Sequence, residues 1–201
     1  MLIGNFVQLE PLQLHHVDEL AAASAADPSL YQWSPVPQGA AAAAIYVRTA
    51  LSWREAGTAF PFVILRKEDN KIIGSTRFWN LEHWQWPEGH IRHGRQHPDA
   101  CEIGYTWLTA SAIRTAANTE AKFLLLSHAF EKWQVLRVCL HTDLRNKRSQ
   151  TAIERIGGRR EGVLRSHRMA ADFTPRDSVR YSILESEWPE VRTRFNDLLR
   201  R

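Results

Sequence analysis

A chain of 201 residues, 44 % apolar and 24 % charged, suits one globular domain with a sizeable core and excludes a disordered polymer. No window approaches the roughly 20 apolar residues of a membrane span, and "MLIGNFVQLE" lacks the charged n-region of a signal peptide. The net charge of +4 is concentrated in "LRNKRSQTAIERIGGRREGVLRSHR" (144–168), and residues 1–47 contain no lysine or arginine. Such a local positive field suits a small polyanion better than a long nucleic-acid track.

Along the chain, "FVQLEPL" (6–12) alternates as a first strand, and "HHVDELAAASAAD" (15–27) reads as a short helix before Pro28. "PSLYQWSPVPQG" is a loop punctuated by prolines; Trp33 within it packs on a helix or lines a pocket mouth. "AAAAAIYVRTALSWREAG" (40–57) combines strong helix formers with a closing glycine. "FPFVILR" and "KIIGSTRFWN" form a hairpin across "KEDN", and a long polar loop follows at 81–100. "CEIGYTWL" is a strand, "EAKFLLLSHAFEKW" a helix, "VLRVCLHT" (135–142) a short buried strand, and "NKRSQTAIERIGG" a helix stopped by glycines. "REGVLRSHRM" and "DSVRYSILE" close a second hairpin, and "SEWPEVRTRFNDLL" is a terminal helix with Pro189 in its first turn. The order β-αα-βββ-α-β-α-ββ-α predicts a mixed sheet with helices on its faces. Cys101 and Cys139 both fall in strand-like runs, as small core residues of a reducing compartment; a cytoplasmic location is expected.

One stretch carries chemistry. In "CEIGYTWLTASAIRTAANTEAK", a strand containing Gly104 passes through a turn of small residues into a helix N-terminus. A strand glycine marks a bulge or a close approach to the backbone. The free N–H groups and dipole of a helix start favour an anion, phosphate above all. On the same strand face as Gly104, Glu102 is a candidate general base. Asn146 and Ser149, at the start of the 146–158 helix, are suited to helix capping. His90, His93 and His97 have metal-like spacing, yet no cysteine accompanies them, and no metal is expected.

Taken together, "EIGYTWL", "NTEAKFLLLSHAFE", "RVCLHTDLRNKRSQTAIERIGGRREGVLRSH" and "SVRYSILESEWP" resemble the RimJ/RimL-type branch of the GNAT N-acetyltransferases. The resemblance is close over 101–189 and weaker over 1–80, where "LEPL" and "IIGSTRFWN" carry it. It implies a single GNAT-like α/β domain over 1–201, with a mixed central sheet of about seven strands splayed in the middle and helices on both faces. It also implies acetyl-CoA as co-substrate, in a V between the 101–108 and 135–142 strands. The pantetheine would pair with Gly104, Tyr105 and Thr106. The pyrophosphate would sit on the turn and helix start formed by Ile113, Arg114, Thr115, Ala116, Ala117, Asn118 and Thr119. Relatives usually place a polar residue and then glycines in that turn; here Ile113 replaces the polar residue, and Arg114 and Ala116 the glycines, which strains the backbone wherever φ must be positive. Asn146 and Ser149 match residues beside the pantetheine and sulfur. Ser149 is then the candidate proton donor to the thiolate, with Tyr105 and Tyr181 as rivals.

The expected activity is acetyl transfer to a primary amine, a protein N-terminus or a small molecule, by direct attack in a ternary complex. A CoA-binding pseudoenzyme and a basic RNA- or ribosome-associated protein without catalysis are the alternatives. No membrane partner is expected, nucleic acid is disfavoured, and the chain is read as a monomer or homodimer. The 81–100 loop is expected near the acceptor entrance.

Overall fold

The computed structural model describes residues 1–200. Its strands are β1 (Leu2–Ile3), β2 (Val7–Pro11), β3 (Ala59–Arg66), β4 (Lys71–Glu82), β5 (Ala100–Leu108), β6 (Arg137–Asp143), β7 (Arg159–Met169) and β8 (Pro175–Leu184). They form one sheet in the order β1-β2-β3-β4-β5-β6-β8-β7. The sheet has eight strands rather than about seven. The extra one, β1, pairs Leu2 with Leu9 and Ile3 with Gln8, and two residues are too few to show a period.

The central pair positions the site. All neighbours are antiparallel except β5 and β6, which run parallel and pair only at Ala100–Arg137, Cys101–Val138 and Glu102–Cys139. Beyond Glu102, β5 stays with β4, and β6 stays with β8. The two strands therefore part, and each presents an unpaired backbone edge to the gap.

Five helices cover the sheet: α1 (Val17–Ala25), α2 (Gly39–Glu55), α3 (Ala117–Ser127), α4 (Lys147–Arg155) and α5 (Trp188–Leu199). On one face, α3 and α5 build a core with Val7, Phe78, Ile103, Leu125 and Phe195. Trp188, Val191 and Phe195 recur at helical spacing to give α5 its buried stripe. On the other face, Leu20, Val47 and Leu51 of α1 and α2 pack on Val63, Leu65 and Trp107. After α4 the chain turns at Gly157 (φ 96°); a Cβ there would lie 2.8 Å from Val191 Cγ2, so both conformation and contact require glycine.

The segment between β4 and β5 is tied down at the joined end of the central pair. Asp99 accepts from Trp84 N at 2.9 Å and from Trp86 Nε1 at 2.8 Å. Arg95 Nη2 donates to the Trp133 carbonyl at 2.7 Å, and Arg92 Nη1 donates to the Gln134 carbonyl at 2.9 Å. These contacts hold the segment at the N-terminal ends of β5 and β6, away from the end where the strands part. No described helix is long and apolar enough to cross a membrane.

Candidate active site

The gap between β5 and β6 opens into a cavity of 710 Å³. Glu102, Gly104, Tyr105 and Thr106 of β5 line it, followed by Ile113, Arg114 and Thr115 of the turn, Asn118 of α3, and Asn146 and Ser149 at the start of α4. Ala116, Ala117 and Thr119 do not. Ala116 and Ala117 face a second cavity of 590 Å³ beside Phe6 and Lys67. Thr119 is buried and accepts a hydrogen bond from Arg155 Nη2 at 2.7 Å, which ties α4 to α3.

A bulge shapes β5. Gly104 pairs with Arg77 and Trp107 with Ser75, so Tyr105 and Thr106 together oppose Thr76. Tyr105 is the bulged residue, with φ 51°, and Gly104 serves a neighbour: a Cβ on it would lie 2.7 Å from Trp79 Nε1 and 3.4 Å from Glu102 Oε1. Tyr105 stands edge-on to Trp79 and Trp53, with the Arg77 guanidinium 4.1 Å from its ring centre.

At the apex of the V, Glu102 is 1 % exposed, which sets it apart from a solvated rim carboxylate. Arg168 Nη2 donates to Oε2 at 3.0 Å and Nη1 to Oε1 at 3.3 Å. His141 Nδ1 lies 3.0 Å from Oε2, without hydrogen-bond alignment. Burial opposes the Glu102 charge, but His141 and Arg168 outweigh it and hold the carboxyl below its usual range. Alongside, His167 is pushed down to about 4, mainly by burial and then by Arg168. His141, Arg168 and Arg176 also line the cavity. No local sequence pattern marks these three, because only tertiary folding brings them to Glu102.

The opposite end is the start of α3. The N-cap residue Ala116 has no capping side chain; Thr115 Oγ1 accepts from Ala117 N at 3.2 Å. Asn118 is the first-turn residue that lines this cavity, at a helix end whose N–H groups and dipole favour an anion. Arg114 adopts φ 61°, whereas Ala116 keeps φ −64°. The strain anticipated for a missing glycine therefore falls on Arg114 alone and costs about 1–3 kcal/mol. Lys122, one turn beyond Asn118, also lines the cavity, and its Nζ donates to Thr106 Oγ1 at 2.5 Å. Burial without a carboxylate partner lowers it to about 7. A lone cation inside the apolar run "AKFLLL" was the available clue.

The remaining walls are the loop 28–38 and α4. Leu30, Tyr31, Trp33 and Val36 face the cavity; Arg148 Nη2 donates to the Leu30 carbonyl at 3.2 Å, and Arg145 stacks on Trp33 at 4.3 Å. Asn146 Oδ1 accepts from Ser149 N at 3.0 Å, a helix cap, which leaves the Ser149 hydroxyl free toward the cavity. Tyr181 is fully buried and donates to Glu154 Oε1 at 2.9 Å; burial first and Glu154 second push it up to about 12. It is no longer a rival proton donor. In the 83–99 segment, His90 and His93 are engaged by Arg92 N and the Trp86 carbonyl, and no residue of it lines the cavity.

The architecture has relatives. Residues 7–159 match the acetyltransferase (GNAT) domain. A protein of T. thermophilus assigned to the acetyltransferases is 34 % identical, with a TM-score of 0.78, 98 % of this chain and 96 % of that one covered. A GCN5-related N-acetyltransferase from Brucella melitensis is 27 % identical, with a TM-score of 0.81 and coverage of 98 % and 83 %. Mycobacterium smegmatis RimJ, solved in complex with CoA-disulfide, shares the fold at 21 % identity, with a TM-score of 0.78 and coverage of 96 % and 88 %. Among curated proteins none matches. With that domain spanning most of its length, the chain belongs to the GNAT family and is an acyl-CoA-dependent acetyltransferase.

Proposed function

We propose that this enzyme moves an acetyl group from acetyl-CoA to a primary amine by direct attack in a ternary complex. One juxtaposition carries the reading: a single cavity joins the turn 113–115 with Asn118 of α3, and a bare strand edge, to a buried carboxylate beside an imidazole. The turn 113–115 and Asn118, with Arg114 and Lys122, fit a diphosphate, and the edge at Gly104, Tyr105 and Thr106 fits the pantetheine amides. When bound, the coenzyme supplies the thioester carbonyl that the amine attacks.

An α-amine has a pKa near 8, so modest proton acceptance suffices. The Glu102–His141 pair takes that proton, Glu102 being ionised and His141 facing the cavity. The departing thiolate takes its proton through the Ser149 hydroxyl, which relays one from solvent and ends the step as a neutral hydroxyl, with Tyr105 the second group in reach of the same space. Two acceptors remain: a protein N-terminus, supported by the likeness to RimJ, and a small amine.

Thiol release against a panel of amines, with calorimetric binding of acetyl-CoA, tests the scheme. Glu102→Gln and His141→Ala should each lower kcat by about 10²-fold while acetyl-CoA still binds; unchanged kcat in both would remove the pair from the mechanism. Heat of binding without thiol release on any amine would instead favour the pseudoenzyme.

A further inference from the structure

Across the β7–β8 hairpin, Arg168 stands directly opposite Arg176, and both line the cavity. Like charges at opposed antiparallel positions destabilise a sheet, so this pair calls for anions. Two carboxylates are near. Glu102 is committed to Arg168 and His141, and Asp143 to Arg145 at 2.9 Å. Arg176 is half-buried beside Glu102, Asp143 and Tyr105. Its Nε donates to Ser178 Oγ at 3.0 Å, and among the described residues no carboxylate lies within ion-pair distance of it. Neighbouring His167 adds no negative charge. The cavity wall formed by Glu102 and the β7–β8 hairpin thus holds one guanidinium more than its acids can pair.

We infer that the amine acetylated here carries a carboxylate, and that Arg176 receives it, orienting the nitrogen toward the Glu102–His141 pair. This rests on the acetyltransferase reading above and adds a substrate class to it. A guanidinium fork matches a carboxylate in two parallel hydrogen bonds. The group can come from a free amino acid or from an acidic residue next to a peptide N-terminus.

The test compares matched acceptors in the thiol-release assay. Alanine against alaninamide reads the first source; Ala-Asp-amide against Ala-Asn-amide reads the second. The acid of one pair should exceed its neutral partner in kcat/KM by about tenfold or more, the scale of a charged hydrogen-bonded contact. Arg176→Gln should bring that ratio to near one, and Arg176→Lys should restore part of it by charge without the fork. The Gln variant should melt no lower than the wild type, since it relieves the opposition to Arg168. Equal use of acid and neutral partners by the wild type overturns the inference. So does a ratio that survives in Arg176→Gln while acetyl-CoA affinity falls, which would assign the guanidinium to a coenzyme phosphate. Binding of acetyl-CoA without turnover of either pair also overturns it; absence of acetyl-CoA binding would overturn the acetyltransferase reading instead.

Discussion

Lys122 shows how a single residue couples burial to the site. Its amine is lowered to about 7 in the folded chain by burial, against about 10.4 when solvated. The folded state therefore releases a proton that the unfolded chain retains between those values. Stability should rise as pH increases from about 7 to 10 and lie lower below 7. Chemical denaturation at pH 7 and pH 9.5 should show that rise in the wild type and lose it in Lys122→Met. A phosphate brought near Nζ reverses the shift, so acetyl-CoA binding at pH 8 should take up as much as one proton. Calorimetry in buffers of different ionisation enthalpy would read it, and zero uptake would place Lys122 outside the anion site. That Glu102 to Thr106, the turn 113–115 and Asn118 come to line one cavity was legible because strand, turn and helix start follow one another. Arg168, Arg176 and His141 were not, since a strand's period says nothing about which distant strand it will lie beside.

At the scale of elements, Glu120 secures the N-terminal strands to α3. Its carboxylate accepts the backbone N–H groups of Asn5, Phe6 and Val7, each at 2.7 Å. A Cβ on Gly4 would come within 2.3 Å of its Cδ. Glu120→Ala leaves these three donors without their acceptor and should cost about 3 kcal/mol or more in a denaturant titration; a loss below about 1 kcal/mol would mean that water replaces the carboxylate. The long elements were readable from their periods, as α5 shows with Pro189 in its first turn. Two features were not: β1, which exists by pairing with β2, and the bulge at Tyr105, which follows from the β4–β5 register. The loop 28–38 gave Trp33 as its single hint, because an irregular wall has no periodicity to betray which side faces a ligand.

For the molecule as a whole, the sheet is joined at one end and parted at the other, and the two ends have different work. The 83–99 segment braces the joined end through Asp99, Trp133 and Gln134. Shortening it should therefore lower the melting temperature by several degrees, given about 4 °C or less per kcal/mol for a chain of this size, while acceptor preference in the thiol-release assay stays as it was. A changed preference at unchanged stability would return the segment to the acceptor entrance, where its place just before the Glu102 strand suggests it. The sequence pattern could mark this segment as inserted, but nothing local says which end of a strand an insertion will fold over.

Parting two strands between the proline-rich loop and the arginines at and just before the start of α4 leaves a slot, and slots select by width. Arg148 reaches to Leu30 and Arg145 covers Trp33, so the opening is bridged on one side by side chains from the other. A thread-like molecule can slide along such a channel, whereas a folded surface is stopped at its rim. On the protein N-terminus arm of the proposed function, a loosely held tip fits such a channel better than a folded surface does, so how far that tip is frayed from its own domain should matter more than the domain's shape.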